Sequence, residues 1–231
     1  MQRNERELIL PAMNYLFALL FCMSASLLPA QAAHIHAYAT CHGNKIETGD
    51  TLPGGIALQT ARFYLSDFIF INQGKEIFRE KNSYHLVDLE FPESGDWTIH
   101  SSGFDEISFL LGTDSLTNVS GVYGGDLDPV KGMYWTWNSG YINVKLEGFS
   151  PQSKGRNGAF GLHLGGYMPP FQTDYRVQSG VASSEHLHIE LDVCPMFEQA
   201  DWNNHFNVMS PSAEAARLTE LLGKSIRVYA E

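Results

Sequence analysis

Hydrophobic and polar residues alternate in several short segments of the chain. The clearest case covers residues 141–147, in which one parity is polar or aromatic and the other is aliphatic (Ile142, Val144 and Leu146). A period of two predicts a β-strand with one buried face. Trp135 and Trp137 share a parity just before this segment, and residues 138–140 have turn chemistry. The region therefore predicts the hydrophobic centre of a β-sheet.

Similar patterns predict further strands at residues 34–39, 58–71, 84–89, 106–111, 159–164 and 185–193, with a bend in the second of them at Ser66–Asp67. Residues 116–131 are predicted to form a loop. One helix is predicted over residues 213–222, with Ser210 as its cap and Gly223 at its end. We expect a mainly β fold, a single-domain antiparallel β-sandwich or barrel with few short helices, including one near the C-terminus.

The first 32 residues have the features of a secretory signal. Arg3 and Arg6 precede an apolar run over residues 15–28, and a small-x-small cleavage motif follows at residues 30–32. The prediction is a signal peptide at 1–32 and a β domain at 33–231. The protein is then secreted or held at the outer cell surface, with the periplasm as the alternative.

Charge and cysteine content narrow the function. The net charge is -11, so the basic surface that nucleic acids and anionic membranes require is absent, whereas cations are compatible with an acidic chain. Cleavage of the signal leaves Cys41 and Cys194. Two thiols in an exported protein predict one disulfide, and a cysteine metal ligand is the alternative.

Histidines carry the strongest signal for chemistry. Two His-x-His pairs occur, His34 with His36 and His186 with His188, and residues i and i+2 of a strand share a face. Each pair can thus offer two imidazoles to one metal, although solvent-facing residues on an edge strand give the same pattern. Neither motif contains a carboxylate, which favours Cu(I) over a zinc hydrolase or facial-triad iron site.

Other motifs are weaker. The chain contains no nucleophile motif, P-loop or dinucleotide fingerprint, so we expect a binding protein and not an enzyme. Asp126 and Asp128 lie beside glycines and could hold Ca²⁺, but the EF-hand spacing is missing, and solvated loop acids are the preferred interpretation.

Three segments resemble the conserved blocks of a known family. They are residues 62–68 (RFYLSDF), residues 133–137 (MYWTW) with Gly140-Tyr141 and Glu147-Gly148, and residues 160–165 (FGLHLG). They are similar to those of the MbnP-like copper-binding family, which includes copper-repressed surface proteins of methane-oxidising bacteria. The resemblance extends from about the first strand to His188.

This resemblance implies an exported β-rich protein that binds copper and has a di-haem cytochrome c peroxidase-like partner. It also implies that a tryptophan is oxidised to kynurenine, whose aniline nitrogen joins histidines at Cu(I). The implied ligands are Trp97, His100, His186 and His188. Trp202 with His205 is the rival tryptophan–histidine pair, and His34 with His36 is a candidate second site.

We therefore carry three hypotheses forward. The first is a non-catalytic copper-binding protein that serves copper acquisition or storage at the cell surface. The second is a metal-free exported binding module, and the third is a metal-dependent extracellular enzyme.

Overall fold

The structure is a computed structural model that describes residues 32–137 and 140–231. The predicted signal peptide, apart from its last residue, and the predicted turn at 138–139 lie outside these ranges. No helix within them has both the length and the apolar composition needed to cross a membrane.

Two sheets make up the described part of the chain. The smaller sheet has the order β15-β13-β1-β2, and β7 pairs with the free edge of β1. Its strands are β1 (Ala33–Cys41), β2 (Asn44–Lys45), β7 (Asp96–Ile99), β13 (His186–Asp192) and β15 (Ile226–Ala230).

The larger sheet has the order β12-β8-β4-β10-β11-β14, and four further strands pair with β4 or β10. Its strands are β3 (Thr51–Leu52), β4 (Ile56–Asn72), β5 (Lys75–Arg79), β6 (Tyr84–Asp88), β8 (Glu106–Leu111), β9 (Tyr134–Trp135), β10 (Gly140–Phe149), β11 (Ala159–Gly165), β12 (Tyr175–Gly180) and β14 (Asn207–Val208). The long strand β4 bends where predicted, because Asp67 has φ 49° and the register with β8 shifts between Ser66 and Ile69.

Inward-facing residues of both sheets share one core. Ile35 and Leu187 enter it from the smaller sheet, and Phe63, Phe109 and Leu146 enter it from the larger one. Each of these side chains is at most 1% exposed. The alternation that predicted the strands therefore also identifies their core faces, and the mainly β class is confirmed.

Two strand pairs depart from the predicted antiparallel arrangement. Most pairs are antiparallel, but β1 pairs with β13 in parallel, as β11 does with β14. Parallel neighbours cannot be joined by a tight hairpin. Here almost the whole domain lies between β1 and β13 in sequence.

The segment 141–147 is more deeply buried than its alternation predicts. Tyr141 and Asn143 are 1% exposed although they lie on the face expected to be polar. A second cluster covers this face, in which Tyr64, Leu127 and Met133 pack on Tyr141 and Trp135. Trp137, by contrast, is 65% exposed, so only one of the two tryptophans is a packing residue.

Three α-helices lie in the described ranges: α1 (Ser115–Ser120), α2 (Cys194–Glu198) and α3 (Ala213–Lys224). Helix α1 covers the first residues of the segment 116–131, so the predicted loop is wrong at its start. The late helix is confirmed, but its cap is Ser212, whose Oγ accepts from the Ala215 N–H at 3.1 Å. Ser210 was the wrong cap, because the chain is still extended at Ser212 and enters the helix only at Ala213.

Candidate metal site

The parallel pairing of β1 with β13 brings the two His-x-His pairs side by side. His34 lies opposite His186, and His36 lies opposite His188. Because Ile35 and Leu187 point into the core, the histidines on either side of them point outward. We call His34, His36, His186 and His188 the four-histidine cluster.

The imidazole rings of the cluster form one continuous stack. The ring of His186 lies 5.4 Å from that of His34 and 5.3 Å from that of His36, and His36 lies 5.1 Å from His188. His36 Nε2 and His186 Nδ1 are 3.0 Å apart. At that distance one of the two nitrogens donates a hydrogen bond to the other.

Carboxylates orient two of these rings. His36 Nδ1 lies 2.7 Å from Asp96 Oδ1, and His188 Nε2 lies 3.1 Å from Glu231 Oε2. A carboxylate accepts an N–H, so each contact leaves the other ring nitrogen with its lone pair. His188 Nδ1 is buried and has no hydrogen-bond partner among the described residues. Carboxylates hold metal-binding histidines in the same way.

Aromatic residues border the cluster at its β15 edge. The Tyr229 ring stacks on His188 at 4.9 Å, and the hydroxyls of Tyr229 and Tyr38 are 2.5 Å apart. Burial and the hydrogen bond with Tyr229 raise the pKa of Tyr38, so this phenol stays neutral in the physiological range. Tyr38 therefore adds no charge at this border, and the charged neighbour of His188 is Glu231.

Trp97 lies on the other face of the same sheet. It pairs with Ile35 in the register between β7 and β1, so its side chain points toward the core while the histidines point outward. The indole stacks on His85, with ring centroids 4.1 Å apart and an angle of 11° between the planes. Its Nε1–H is buried and has no acceptor in the described part of the chain.

The predicted ligands thus separate into different places. His186 and His188 come together with His34 and His36, whereas Trp97 does not join them, because adjacent residues of a strand point to opposite faces. His100 is exposed and lies one residue beyond the end of β7. The imidazole that does contact Trp97 is that of His85, which belongs to neither His-x-His pair.

Comparison with known proteins identifies the family. The profile of the MbnP family matches residues 30–211, which is most of the chain. The chain belongs to the MbnP family. A solved structure, MbnP from Methylosinus trichosporium, is similar in fold, with a TM-score of 0.56 and 16% sequence identity over 80% of this chain and 86% of that chain. No curated protein matches at a significant level.

The rival tryptophan of this MbnP-family chain is a core residue. Trp202 is 5% exposed and packs on Phe160 and Phe197, with ring centroids 5.3 Å and 5.9 Å away. His205 is exposed, and its Nδ1 lies 3.6 Å from Asp201 Oδ2.

The glycine-rich loop acids of this MbnP-family chain hold the loop together and link it to strand β6. Asp126 Oδ1 lies 2.5 Å from Lys131 Nζ, and Asp126 Oδ2 accepts from the Leu86 N–H. Asp128 accepts from the Val130 N–H and caps the 3-10 helix Pro129–Lys131. Both acids therefore have protein partners.

One other group of metal-binding side chains is close together. Cys41, His42 and Cys194 have donor atoms within 4.8 Å of one another, and theirs is the one such group of three found among the described residues. Both sulfurs are joined in the Cys41–Cys194 disulfide, which confirms the predicted pairing. In the described part of the chain, no three ring nitrogens of the four-histidine cluster lie within 4.8 Å of one another, and the pair at hydrogen-bonding distance is His36 Nε2 with His186 Nδ1.

Sequence reasoning missed the adjacency of the two histidine pairs. The motifs were visible, but each was assigned to a separate site. Their equal spacing around a buried aliphatic residue is a signal that the two strands could pair in register. Only the sheet order shows that they do.

Proposed function

We propose that this protein is an exported copper-binding protein and that the four-histidine cluster is its copper site. At a coarse level, membership of the MbnP family supports an exported metal-binding protein. We propose binding without catalysis, in the service of copper acquisition or storage at the cell surface.

The observation that carries the proposal is the set of lone pairs in the cluster. His36 Nε2 and His186 Nδ1 face each other at 3.0 Å, and the His188 ring stacks on that of His36 with its buried Nδ1 lacking a partner among the described residues. Neutral imidazoles suit copper, and soft Cu(I) accepts two or three ligands. The net charge of -11 favours the approach of a cation.

The first test removes the imidazoles one strand at a time. The two double variants are His186→Ala/His188→Ala and His34→Ala/His36→Ala. We expect each to abolish stoichiometric Cu(I) binding, because each removes two of the four imidazoles of the cluster. His205→Ala is the matched control, since that exposed imidazole lies outside the cluster. Competition with a chromogenic Cu(I) chelator measures the binding.

Full copper binding by both double variants would contradict the proposal. Loss in the β13 variant alone would restrict the site to His186 and His188. Circular dichroism of each variant shows whether the sheet is retained.

We also propose that Trp97 is the tryptophan that is oxidised to kynurenine, with His85 as the imidazole next to it. Ring opening would give an aniline nitrogen with a usable lone pair, which indole lacks. Two observations support this pairing: His85 stacks on Trp97, and the buried indole Nε1–H has no acceptor among the residues that the structure describes. The oxidant must come from outside the chain, for which the family resemblance implies a di-haem cytochrome c peroxidase-like partner.

Tandem mass spectrometry of protein from its native host tests this second proposal. We expect kynurenine at position 97 in native material and tryptophan in recombinant material made without the partner. Unmodified Trp97 in native, copper-loaded protein would refute it, and kynurenine at position 202 would transfer the role to Trp202. His85→Ala should leave copper binding at the four-histidine cluster intact.

A further inference from the structure

The disulfide end of the β1–β13 pair holds a second set of metal donors. Cys41 is the last residue of β1, and His42 follows it. Cys194 is the first residue of α2, shortly after the end of β13. Their donor atoms lie within 4.8 Å of one another. Two sulfurs and one imidazole nitrogen at this spacing form a three-ligand set for a soft metal once the sulfur–sulfur bond is open.

The surrounding contacts hold the three residues in place without the disulfide. Asp192 Oδ1 accepts from the backbone N–H of His42 at 3.2 Å and from that of Cys194 at 3.1 Å. Asp192 is 4% exposed, so this buried carboxylate links the two segments through their backbone N–H groups. His42 Nε2 lies 2.8 Å from Glu198 Oε1, which leaves Nδ1 as the free ring nitrogen.

A short hairpin follows directly after Cys41. His42 and Gly43 form its two-residue turn, with φ values of 50° and 78°, and Cys41 pairs with Asn44. The return strand β2 has only two residues, so few hydrogen bonds hold the hairpin closed. Opening it would give a reductant access to Cys41, which is 5% exposed in the closed state.

We propose that reduction of the Cys41–Cys194 disulfide creates a Cys₂His site for a soft metal ion such as Cu(I). A dithiol reductant transfers two electrons and two protons, so that the sulfur–sulfur bond breaks, two thiols form and the reductant becomes a disulfide. The metal then displaces the two thiol protons and binds both thiolates with His42 Nδ1. The site replaces the covalent link between β1 and α2 by a metal link.

This site is distinct from the four-histidine cluster. Four ladder positions of the β1–β13 pair lie between them, and two of these, Tyr38 opposite Glu190 and Thr40 opposite Asp192, are on the same face as the histidines. At the ≈ 3.3 Å rise per residue of a parallel strand, the span from His36 to Cys41 is roughly 16 Å. A single ion therefore cannot use donors from both ends.

The experiment uses the variant His186→Ala/His188→Ala, which lacks the β13 histidines. Metal binding at the Cys₂His site is then tested independently of the proposed copper site in the four-histidine cluster. The protein is reduced with a phosphine, which is then removed, and Cd²⁺ is added as a spectroscopic probe for thiolate ligands. We expect one equivalent of Cd²⁺ with thiolate-to-metal charge-transfer absorption in the reduced protein and none in the oxidised protein. Cys41→Ser/Cys194→Ser should lack the signal in both states.

His42→Ala tests the third ligand, with His205→Ala as its matched control. We expect His42→Ala to weaken Cd²⁺ binding at least tenfold and His205→Ala to leave it unchanged. Alkylation supplies a second readout: bound Cd²⁺ should protect both thiols from iodoacetamide. Absence of the absorption band would overturn the proposal, and so would alkylation at equal rates with and without Cd²⁺. The proposal is also overturned if the reduced chain unfolds and Cd²⁺ does not restore its fold.

Discussion

At the level of single residues, Glu147 shows how local contacts set the behaviour of a charge. Its Oε1 lies 2.7 Å from His163 Nε2 and 3.7 Å from Lys145 Nζ. The hydrogen bond from His163 and the charge of Lys145 lower the pKa of Glu147 from 4.5 to about 2, against the opposing effect of burial. The residues belong to two segments, β10 and β11, so this contact links neighbouring strands of the larger sheet.

We predict that Glu147→Gln lowers stability in a pH-dependent way. A carboxyl whose pKa is depressed on folding stabilises the fold above its unfolded value of 4.5, and the contribution is lost as the pH falls from 4.5 toward 2. The difference between wild type and variant should therefore be full at pH 6 and vanish near pH 2. Urea unfolding at several pH values measures it, and the exposed Glu185→Gln is the control. A difference that is independent of pH would contradict this account.

At the level of elements, close backbone approach determines which glycines of the sheet can be replaced. Gly148 lies at a register shift between β10 and β4, where a Cβ would come within 2.1 Å of the Ala57 carbonyl oxygen. Backbone cannot move aside as a flexible side chain can. The sequence motif Glu147-Gly148 thus has a packing reason as well as a family resemblance.

We predict that Gly148→Ala destabilises the protein by about 1–3 kcal/mol, the usual cost of forcing extra volume into a packed interior. Gly124→Ala is the control, because a Cβ there meets nothing within 4 Å and φ is -93°. Its effect should stay within about 0.5 kcal/mol. Thermal unfolding followed by circular dichroism compares the two. Equal stability of both variants would show that β4 and β10 can shift apart.

At the level of the whole molecule, the disulfide links the two ends of the domain. Cys41 and Cys194 are 153 residues apart in sequence, and their Cα atoms are 5.0 Å apart. Such a link restricts the unfolded chain much more than a short loop would. It also stabilises the parallel pair that carries the histidines.

We predict that Cys41→Ser/Cys194→Ser lowers the free energy of unfolding by about 2–5 kcal/mol, as is usual when a native disulfide is removed. Phosphine reduction of the wild-type protein should lower it by a similar amount in metal-free buffer. Guanidinium unfolding measures both. A loss below about 1 kcal/mol would mean that strand pairing alone holds β1 and β13 together.

Patterns along the chain determined the strands and the disulfide. Alternation around Ile142, Val144 and Leu146 predicts a strand because it depends only on neighbouring residues. The pairing of Cys41 with Cys194 could be predicted because the remaining cysteine, Cys22, lies in the predicted signal peptide. The late helix was also predictable, although its cap was placed two residues early, since Ser210 and Ser212 both have capping side chains.

Tertiary structure alone decided which candidate ligands meet. The pairing of β1 with β13 in parallel and in register depends on the order of strands in the sheet, and no local pattern encodes that order. It placed His34 and His36 against His186 and His188, and it put Trp97 on the opposite face next to His85. Alternation along a strand shows that neighbouring residues point to opposite faces. Which face packs against the core, and which residues lie opposite it, depends on contacts with residues far away in sequence.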